Sequence, residues 1–312
     1  MSRSDPPATA DGDTARDCRR PKLSVIICVY DMSREAPRTI LSAGEPYQKD
    51  VLEGEYEVIV VDNGSRRKLP PDVTANLPAG VSLVDMPDPQ PSPAFAMNWA
   101  ARELARGDIL LFAVDGARIF TDRLYSTTLA AHELVDEAFV YTLSWHLGPN
   151  VQMVSTQQGY DQSVEDELLA RSGWPGRPDA LFDISVLAGS SRPGFFRPIL
   201  ESNAFSIPRS LFDRLGGYDE RYTSPGGGLC NLEMFGRYVG RPRARNVCLL
   251  SEGTFHQVHG GSATSGAAPE ERHAEHRRIF GRGFEMAAYG TLYFGRVRPS
   301  AAKFLRESLE PR

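Results

Sequence analysis

The sequence predicts an α/β protein built on a Rossmann-like, mixed but mostly parallel sheet flanked by helices. Three observations carry this. Residues 23–30 (LSVIICVY) form an unbroken, β-branched apolar run, the pattern of a strand buried on both faces. Residues 57–61 (EVIVV) and 108–114 (DILLFAV) repeat it. Helix-compatible stretches at 33–50 and 94–106 lie between them, and this β-α-β-β-α-β order implies parallel strands covered by helices.

The elements follow in turn. Asp62-Asn63-Gly64-Ser65 closes the second run as a turn, and 81–84 is a short third strand. Prolines 87, 89, 91 and 93 exclude regular structure before the helix at 94–106, whose Ala96, Trp99, Ala100 and Leu104 fall at helical spacing and whose stop is Gly107. Beyond 120 the pattern loosens. Strands are expected at 136–145, 181–187, 203–207 and 247–251, and helices at 208–215, 229–239 and 270–280. Turn signals fill 146–180, which reads as an acceptor-side insertion. TSPGGG at 223–228 reads as a flexible loop, and the charged helix at 270–280 as exposed, with His273 and His276 solvated beside Glu270, Glu271 and Glu275.

A chain of 312 residues accommodates one large domain or two small ones. Hydrophobic residues at 41% and charged residues at 24% exclude a disordered, collagenous or disulfide-stapled chain. A net charge of −5 gives no basic field for nucleic acid, so none is expected as a partner. Only four of the 35 cationic residues are lysine (Lys22, Lys49, Lys68, Lys303); the arginine excess reads as composition rather than as many phosphate forks. Cys18, Cys28, Cys230 and Cys248 lack metal-clip or redox spacing, which points to a reducing, cytoplasmic setting. The first twenty residues are polar, without an apolar core, and read as a disordered lead-in rather than a secretory signal. No apolar stretch reaches the roughly 18–20 residues of a membrane helix, and peripheral membrane contact has no positive support.

In parallel sheets ligands bind at the carboxyl ends of strands. Three polar groups fall there: Tyr30-Asp31, Asp62-Asn63 and Asp115-Gly116. A carboxylate so placed either caps a turn or accepts hydrogen bonds from a nucleoside; Asp115, with Gly116 permitting close approach, suits Mg²⁺ or Mn²⁺. His256 and His259 converge on one ligand only if the chain turns between them; on a flat strand they face opposite sides. Imidazole beside carboxylate favours Mn²⁺, although each histidine alone reads equally well as a core or surface residue. The glycine loop precedes a helix bearing Glu233, either a general base for an acceptor hydroxyl or an ordinary surface glutamate.

Together LSVIICVYDM, VIVVDNGS, PSPAFAMNWAARELARGDILLFAVDGAR and ESNAFSIPRSLFDRLGGYDERY resemble, in order, the landmarks of family 2 glycosyltransferases of the GT-A fold, over about residues 21–262. The resemblance implies a nucleotide-binding half at 21–120, an acceptor half at 121–262 and a C-terminal helical extension at 263–312. It implies a UDP- or GDP-sugar donor, with Cys28, Tyr30, Asp62, Asn63 and Ser65 at the nucleoside, Asn98 nearby, and Asp115 as the remaining carboxylate of a DxD-type motif. His256 and His259 would complete a Mn²⁺ or Mg²⁺ site. The implied activity is a metal-dependent, inverting, hexosyltransferase-type transfer to a hydroxyl of a small molecule, glycan or lipid-linked acceptor. Three positions depart from the pattern. The DxD-type motif reads Ala113-Val114-Asp115-Gly116, Met97 stands where the family usually has Arg, and the catalytic Glu-Asp pair falls on Cys230-Asn231. The base is then Glu233 or Glu201, or Asn231 only positions the acceptor; Glu233 can replace its neighbour only where the chain is not yet regular helix. Two rival readings are a catalytically dead nucleotide- or sugar-binding module, favoured by Asn231, and a nucleotidyltransferase, disfavoured by the absence of Gly and Lys from residues 28–33.

Overall fold

The computed structural model describes residues 20–259 and 269–309. Of the lead-in, residues 1–19 with Cys18 lie outside the described residues, as do Gly260, Gly261 and the 262/263 boundary.

One sheet organises the chain. Its strands are β1 (Leu23–Val29), β2 (Tyr56–Asp62), β3 (Val81–Asp85), β4 (Ile109–Ala113), β5 (Arg118–Phe120), β6 (Ala138–Leu147), β7 (Ser185–Leu187), β8 (Ala204–Pro208), β9 (Arg245–His256) and β10 (Leu292–Phe294). They run in the order β10-β9-β6-β8-β4-β1-β2-β3, with β5 on β9 and β7 on β6. β8 is antiparallel to β4 and β6, and β5 and β7 are antiparallel to their partners; the other pairs are parallel. The mixed, mostly parallel sheet expected from the sequence is therefore present.

The helices are α1 (Ala36–Ala43), α2 (Pro71–Ala75), α3 (Pro93–Trp99), α4 (Leu124–Leu134), α5 (Gln152–Ser155), α6 (Gln162–Ser172), α7 (Ala180–Asp183), α8 (Arg209–Leu215), α9 (Cys230–Val239), α10 (Pro269–Phe280) and α11 (Ala302–Leu309). Alternate β1 residues face opposite layers. Ile26 and Cys28 join the core beneath α3 and α9, with Met97, Phe112, Phe205 and Phe235. Val25, Ile27 and Val29 join the core under α1 and α4, with Ile40, Leu124 and Leu129. Burial on both faces is why the strand reads as a continuous apolar run rather than an alternation.

Several expectations are corrected. The helix expected at 94–106 is α3 followed by a π-turn (Ala100–Leu104), in which Ala105 N–H donates to Ala100 O at 2.8 Å. Residues 181–187 are not one strand: α7 occupies the start, burying Phe182 against Trp145 and Phe255, and only β7 is extended. So short an apolar run does not distinguish helix from strand. The insertion at 146–180 contains α5 and α6. The glycine loop is tied down, with Glu275 Oε1 accepting the N–H groups of Thr223 and Ser224 at 2.9 and 3.0 Å. α10 is not wholly exposed: Glu275 and His276 are buried, and His276 Nδ1 bonds the Tyr222 hydroxyl.

The end of β9 sets up the site. The β6–β9 register jumps from Tyr141↔Cys248 to Leu143↔Gly253, a bulge in β9 with Ser251 at φ 59°. Beyond it Gly253 lies so close to β6 that a Cβ there would stand 2.3 Å from Leu143 O and 2.6 Å from the Trp145 ring. Gly253→Ala is therefore expected to cost about 1–3 kcal/mol, the usual range for overpacking. Urea unfolding measures it, and an unchanged midpoint would show that β6 yields at this point.

Candidate active site

Asp115 follows β4 directly. The chain turns at Gly116, where a Cβ would stand 2.3 Å from Val29 Cγ1, and enters β5, whose Arg118 pairs with His256 at the end of β9. That register brings two distant segments together. Asp115 Oδ2 lies 3.9 Å from His256 Nε2, and His256 Nε2 lies 3.1 Å from His259 Nε2. One ligand atom from each of the three residues falls within 4.8 Å of the others. Both histidines serve because β9 ends at His256: Gln257 N–H donates to Ala117 O at 2.8 Å, and the chain leaves the strand before His259.

Buried partners prepare the imidazoles. Gln152 Nε2 donates to His256 O at 2.9 Å, which turns its Oε1 toward His256 Nδ1 at 2.5 Å. Nδ1 therefore carries the proton, and Nε2 presents its lone pair to the cluster, the second-shell device by which metal-binding histidines are oriented. Burial, with Arg118, His259 and His146 nearby, holds the His256 pKa well below its usual value, so the ring is neutral at pH 7. His146 accepts the Gln152 N–H at Nδ1 and is pushed down to about 4, chiefly by burial. Two ring nitrogens 3.1 Å apart match neighbouring corners of an octahedral ion, about 3.0 Å apart for bonds near 2.1 Å. The donor set of one carboxylate and two imidazoles thus fits a divalent transition-metal ion such as Mn²⁺. Arg118 is the counterweight: its Nε donates to Asp115 Oδ2 at 2.8 Å and its Nη1 to Ser144 Oγ at 2.8 Å.

The segment carrying His259 is clamped from below. Buried Glu165 on α6 accepts the Val258 N–H at 2.8 Å and the Tyr160 hydroxyl at 3.1 Å, and Arg34 donates to both Glu165 and Val258 O. Burial pushes the Glu165 carboxyl up to about 7, with the Val258 N–H and Arg34 opposing it.

Glu201 and Asn231 reach the same end of the sheet. β8 runs antiparallel to β4, so the chain before β8 meets the end of β4, with Val114 N–H on Asn203 O at 3.3 Å. Asn231, in the first turn of α9, donates to Glu201 Oε2 at 2.7 Å and to Ser202 O at 3.1 Å. Desolvation raises the Glu201 pKa; the Asn231 hydrogen bond and Arg118 oppose it, and Asp115 adds to it. Glu233 is not brought there. α9 is regular from Cys230, so two residues turn the side chain by about 200°. Its carboxylate is held instead by Arg237, at 2.8 Å from Nε.

The nucleoside candidates gather at the ends of β1 and β2. Asp62 is buried and caps its own turn, with Oδ1 on Ser65 N–H at 2.7 Å and Oδ2 on Lys68 Nζ at 2.9 Å; Lys68 also reaches Asp85 at 2.6 Å. Ser65 Oγ accepts the Asp31 N–H at 2.9 Å, and Asn63 exchanges hydrogen bonds with Gln90. Tyr30 is exposed beside this turn. Cys28 is buried in β1, its thiol pushed up to about 12 by desolvation, with Asp115 and Asp62 adding. Asn98 bonds elsewhere: its amide brackets Tyr218 N–H and O and donates to Glu220, anchoring the loop before α9. Sequence reasoning passed over Gln152, Arg118, Lys68 and Glu165. Only Arg118, in the first three residues after Asp115, stood where a reader of the motif could have found it.

This architecture is that of the GT-A glycosyltransferases, the fold that the sequence resemblance implied. Among solved structures, S. aureus TarS 1-349 in complex with UDP-GlcNAc superposes with a TM-score of 0.52 at 16% identity, over 83% of this chain and 65% of that one. S. aureus TarS gives 0.51 at 14% identity, over 85% and 44%. The mannosyltransferase PcManGT from Pyrobaculum calidifontis, in complex with GDP-Man and Mn²⁺, gives 0.48 at 17% identity, over 93% and 69%. The chain thus spans less than two thirds of these two TarS chains. No protein-family model and no curated protein matches the sequence. Among the described residues no helix is long and apolar enough to cross a membrane.

Isothermal titration with Mn²⁺ tests the cluster. Asp115→Asn and His256→Ala are expected to abolish binding, and Gln152→Leu to weaken it roughly 10–100-fold by freeing the imidazole. Full affinity in Gln152→Leu would remove the orienting role.

Proposed function

We propose that the protein is a metal-dependent glycosyltransferase, moving a sugar from a nucleoside-diphosphate donor to a hydroxyl acceptor with inversion. The observation that carries this reading is the Asp115–His256–His259 cluster beside the Glu201–Asn231 pair, at the carboxyl ends of β4 and β9 in a GT-A fold. The likeness to TarS, crystallised with UDP-GlcNAc, supports a nucleotide-sugar donor.

In this reading residues 21–120 hold the donor nucleoside, with Asp62, Asn63 and Ser65 facing the base and ribose and Tyr30 offering an aromatic face. Cys28 packs behind them rather than touching the ligand, and Asn98 shapes the loop on the acceptor side. Residues 121–262 carry the acceptor. Glu201 is the general base: it takes the acceptor hydroxyl proton as the acceptor oxygen bonds to the anomeric carbon and the bond from that carbon to the phosphate oxygen breaks. Asn231 cannot take the proton; it holds Glu201 Oε2 and so fixes the direction of the free lone pair. A divalent ion at Asp115, His256 and His259 supplies charge stabilisation for the departing nucleoside diphosphate. Arg118 holds Asp115 in place through its Nε.

A second reading, a binding module without turnover, rests on Asn231 standing where a carboxylate is expected. Donor hydrolysis without acceptor separates the two, since a module binds the donor and leaves it intact.

Binding of UDP or GDP in the presence of Mn²⁺ is the first test; no thermal shift with either would overturn the transferase reading. With a donor identified, Glu201→Gln is expected to lower kcat at least 100-fold with little change in donor affinity, and Glu233→Gln to leave kcat nearly unchanged. The raised pKa of Glu201 fixes the sign of the pH dependence. The base works only ionised, so kcat/KM should climb with pH along a limb lying above the ordinary glutamate value of about 4.3. Loss of that limb in Glu233→Gln, with Glu201→Gln unaffected, would reverse the assignment.

A further inference from the structure

α10 turns one face inward: Arg272, Glu275, His276 and Ile279, at helical spacing i, i+3, i+4 and i+7. Two of these fasten the helix to the loop leading into α9. Glu275 Oε1 takes the N–H groups of Thr223 and Ser224, and His276 takes the Tyr222 hydroxyl. The loop approaches closely enough that a Cβ on Gly228 would stand 2.6 Å from Glu275 Oε2. Ile279 packs on the main core.

Arg272 stands one turn before this fastening, and it is chemically unfinished. Its Nε is buried with no hydrogen-bond partner, and among the described residues its guanidinium makes no hydrogen bond or ion pair. A buried donor left so bears its desolvation penalty without compensation unless a ligand satisfies it. The loop that α10 fastens runs on into α9, whose Asn231 holds Glu201, and the Arg272 charge opposes the upward push of burial on that carboxyl. Arg118, the other cation there, is already committed to Asp115.

We propose that Arg272 is an anion-binding residue that reaches over the site from α10 and grips the terminal phosphate of a bound diphosphate. This rests on the donor class proposed above. A guanidinium fork matches two phosphate oxygens at once, and its fixed charge complements the charge that collects on the leaving group. Anchoring through Glu275 and His276 places that charge in advance, so little side-chain freedom is lost on binding.

The test titrates wild type, Arg272→Gln and Arg272→Lys with UDP, GDP, UMP and inorganic pyrophosphate, all with Mn²⁺, by calorimetry, with unfolding temperatures confirming that the variants fold. Arg272→Gln is expected to weaken the diphosphates and pyrophosphate roughly 10–100-fold and to leave UMP within about twofold, with Arg272→Lys in between. Equal diphosphate affinity in wild type and Arg272→Gln would overturn the assignment and leave the transferase reading standing. Pyrophosphate binding that depends on Arg272, with neither UDP nor GDP bound, would overturn the donor class and keep the anion site. A wild type that binds none of these ligands would overturn both.

Discussion

Three residues of antiparallel pairing hold the site together. β5 lies against the end of β9 in the register Arg118↔His256, Ile119↔Phe255, Phe120↔Thr254. β6 and β8 lie between β4 and β9 in the sheet, so Asp115 would not otherwise meet either histidine. The turn at Gly116 bridges that gap, and Thr39 secures it, donating to Gly116 O at 2.7 Å and accepting the Arg118 N–H at 3.1 Å. Ile119 and Phe120 are fully buried in opposite cores, so the crossing is packed from both faces and shares the stability of the domain.

The carboxylates near this crossing show how environment divides labour among like groups. Asp115 is paired with a guanidinium and presented to two imidazole rings. Glu201 is desolvated, which raises its pKa, and is steadied by one amide. Glu165 lies deeper and holds the backbone of Val258 and the hydroxyl of Tyr160. Glu233, whose type and position in the sequence made it attractive, is neutralised by Arg237 on the far side of α9. Residue type alone does not separate these four; burial and the nearest cation do.

Much of the frame was legible because its physics is local. A strand buried on both faces must be apolar throughout, so β1, β2 and β4 announce themselves, and the groups that follow them fall at strand ends. Asp115 was legible for that reason; His256 and His259 were legible only as a spaced pair, because the strand expected at 247–251 stops short of the end of β9 at His256. Gln152 was not: a buried glutamine in a turn-rich insertion carries no periodic signal, and its role exists only because α5 packs beneath β9. Arg272, Glu275 and His276 were misread for a related reason. They do lie at helical spacing, but their inward face is polar, and apolar periodicity is the signal by which inward faces are found. β5 and β10, three residues each, are too short for any pattern.

β10 is the least conspicuous strand, yet it decides what the margin of the sheet presents. It covers Val247–Leu249 along the outer margin of β9, and Arg298 rivets the segment behind it to Asp122, Asp179 and Glu252. Without that cover, a long strand would display unpaired amides and carbonyls in a row, a template for edge-to-edge association. The C-terminal stretch thus leaves a three-residue strand at that margin in place of the bare edge of β9, and its hold rests on a buried arginine far along the chain.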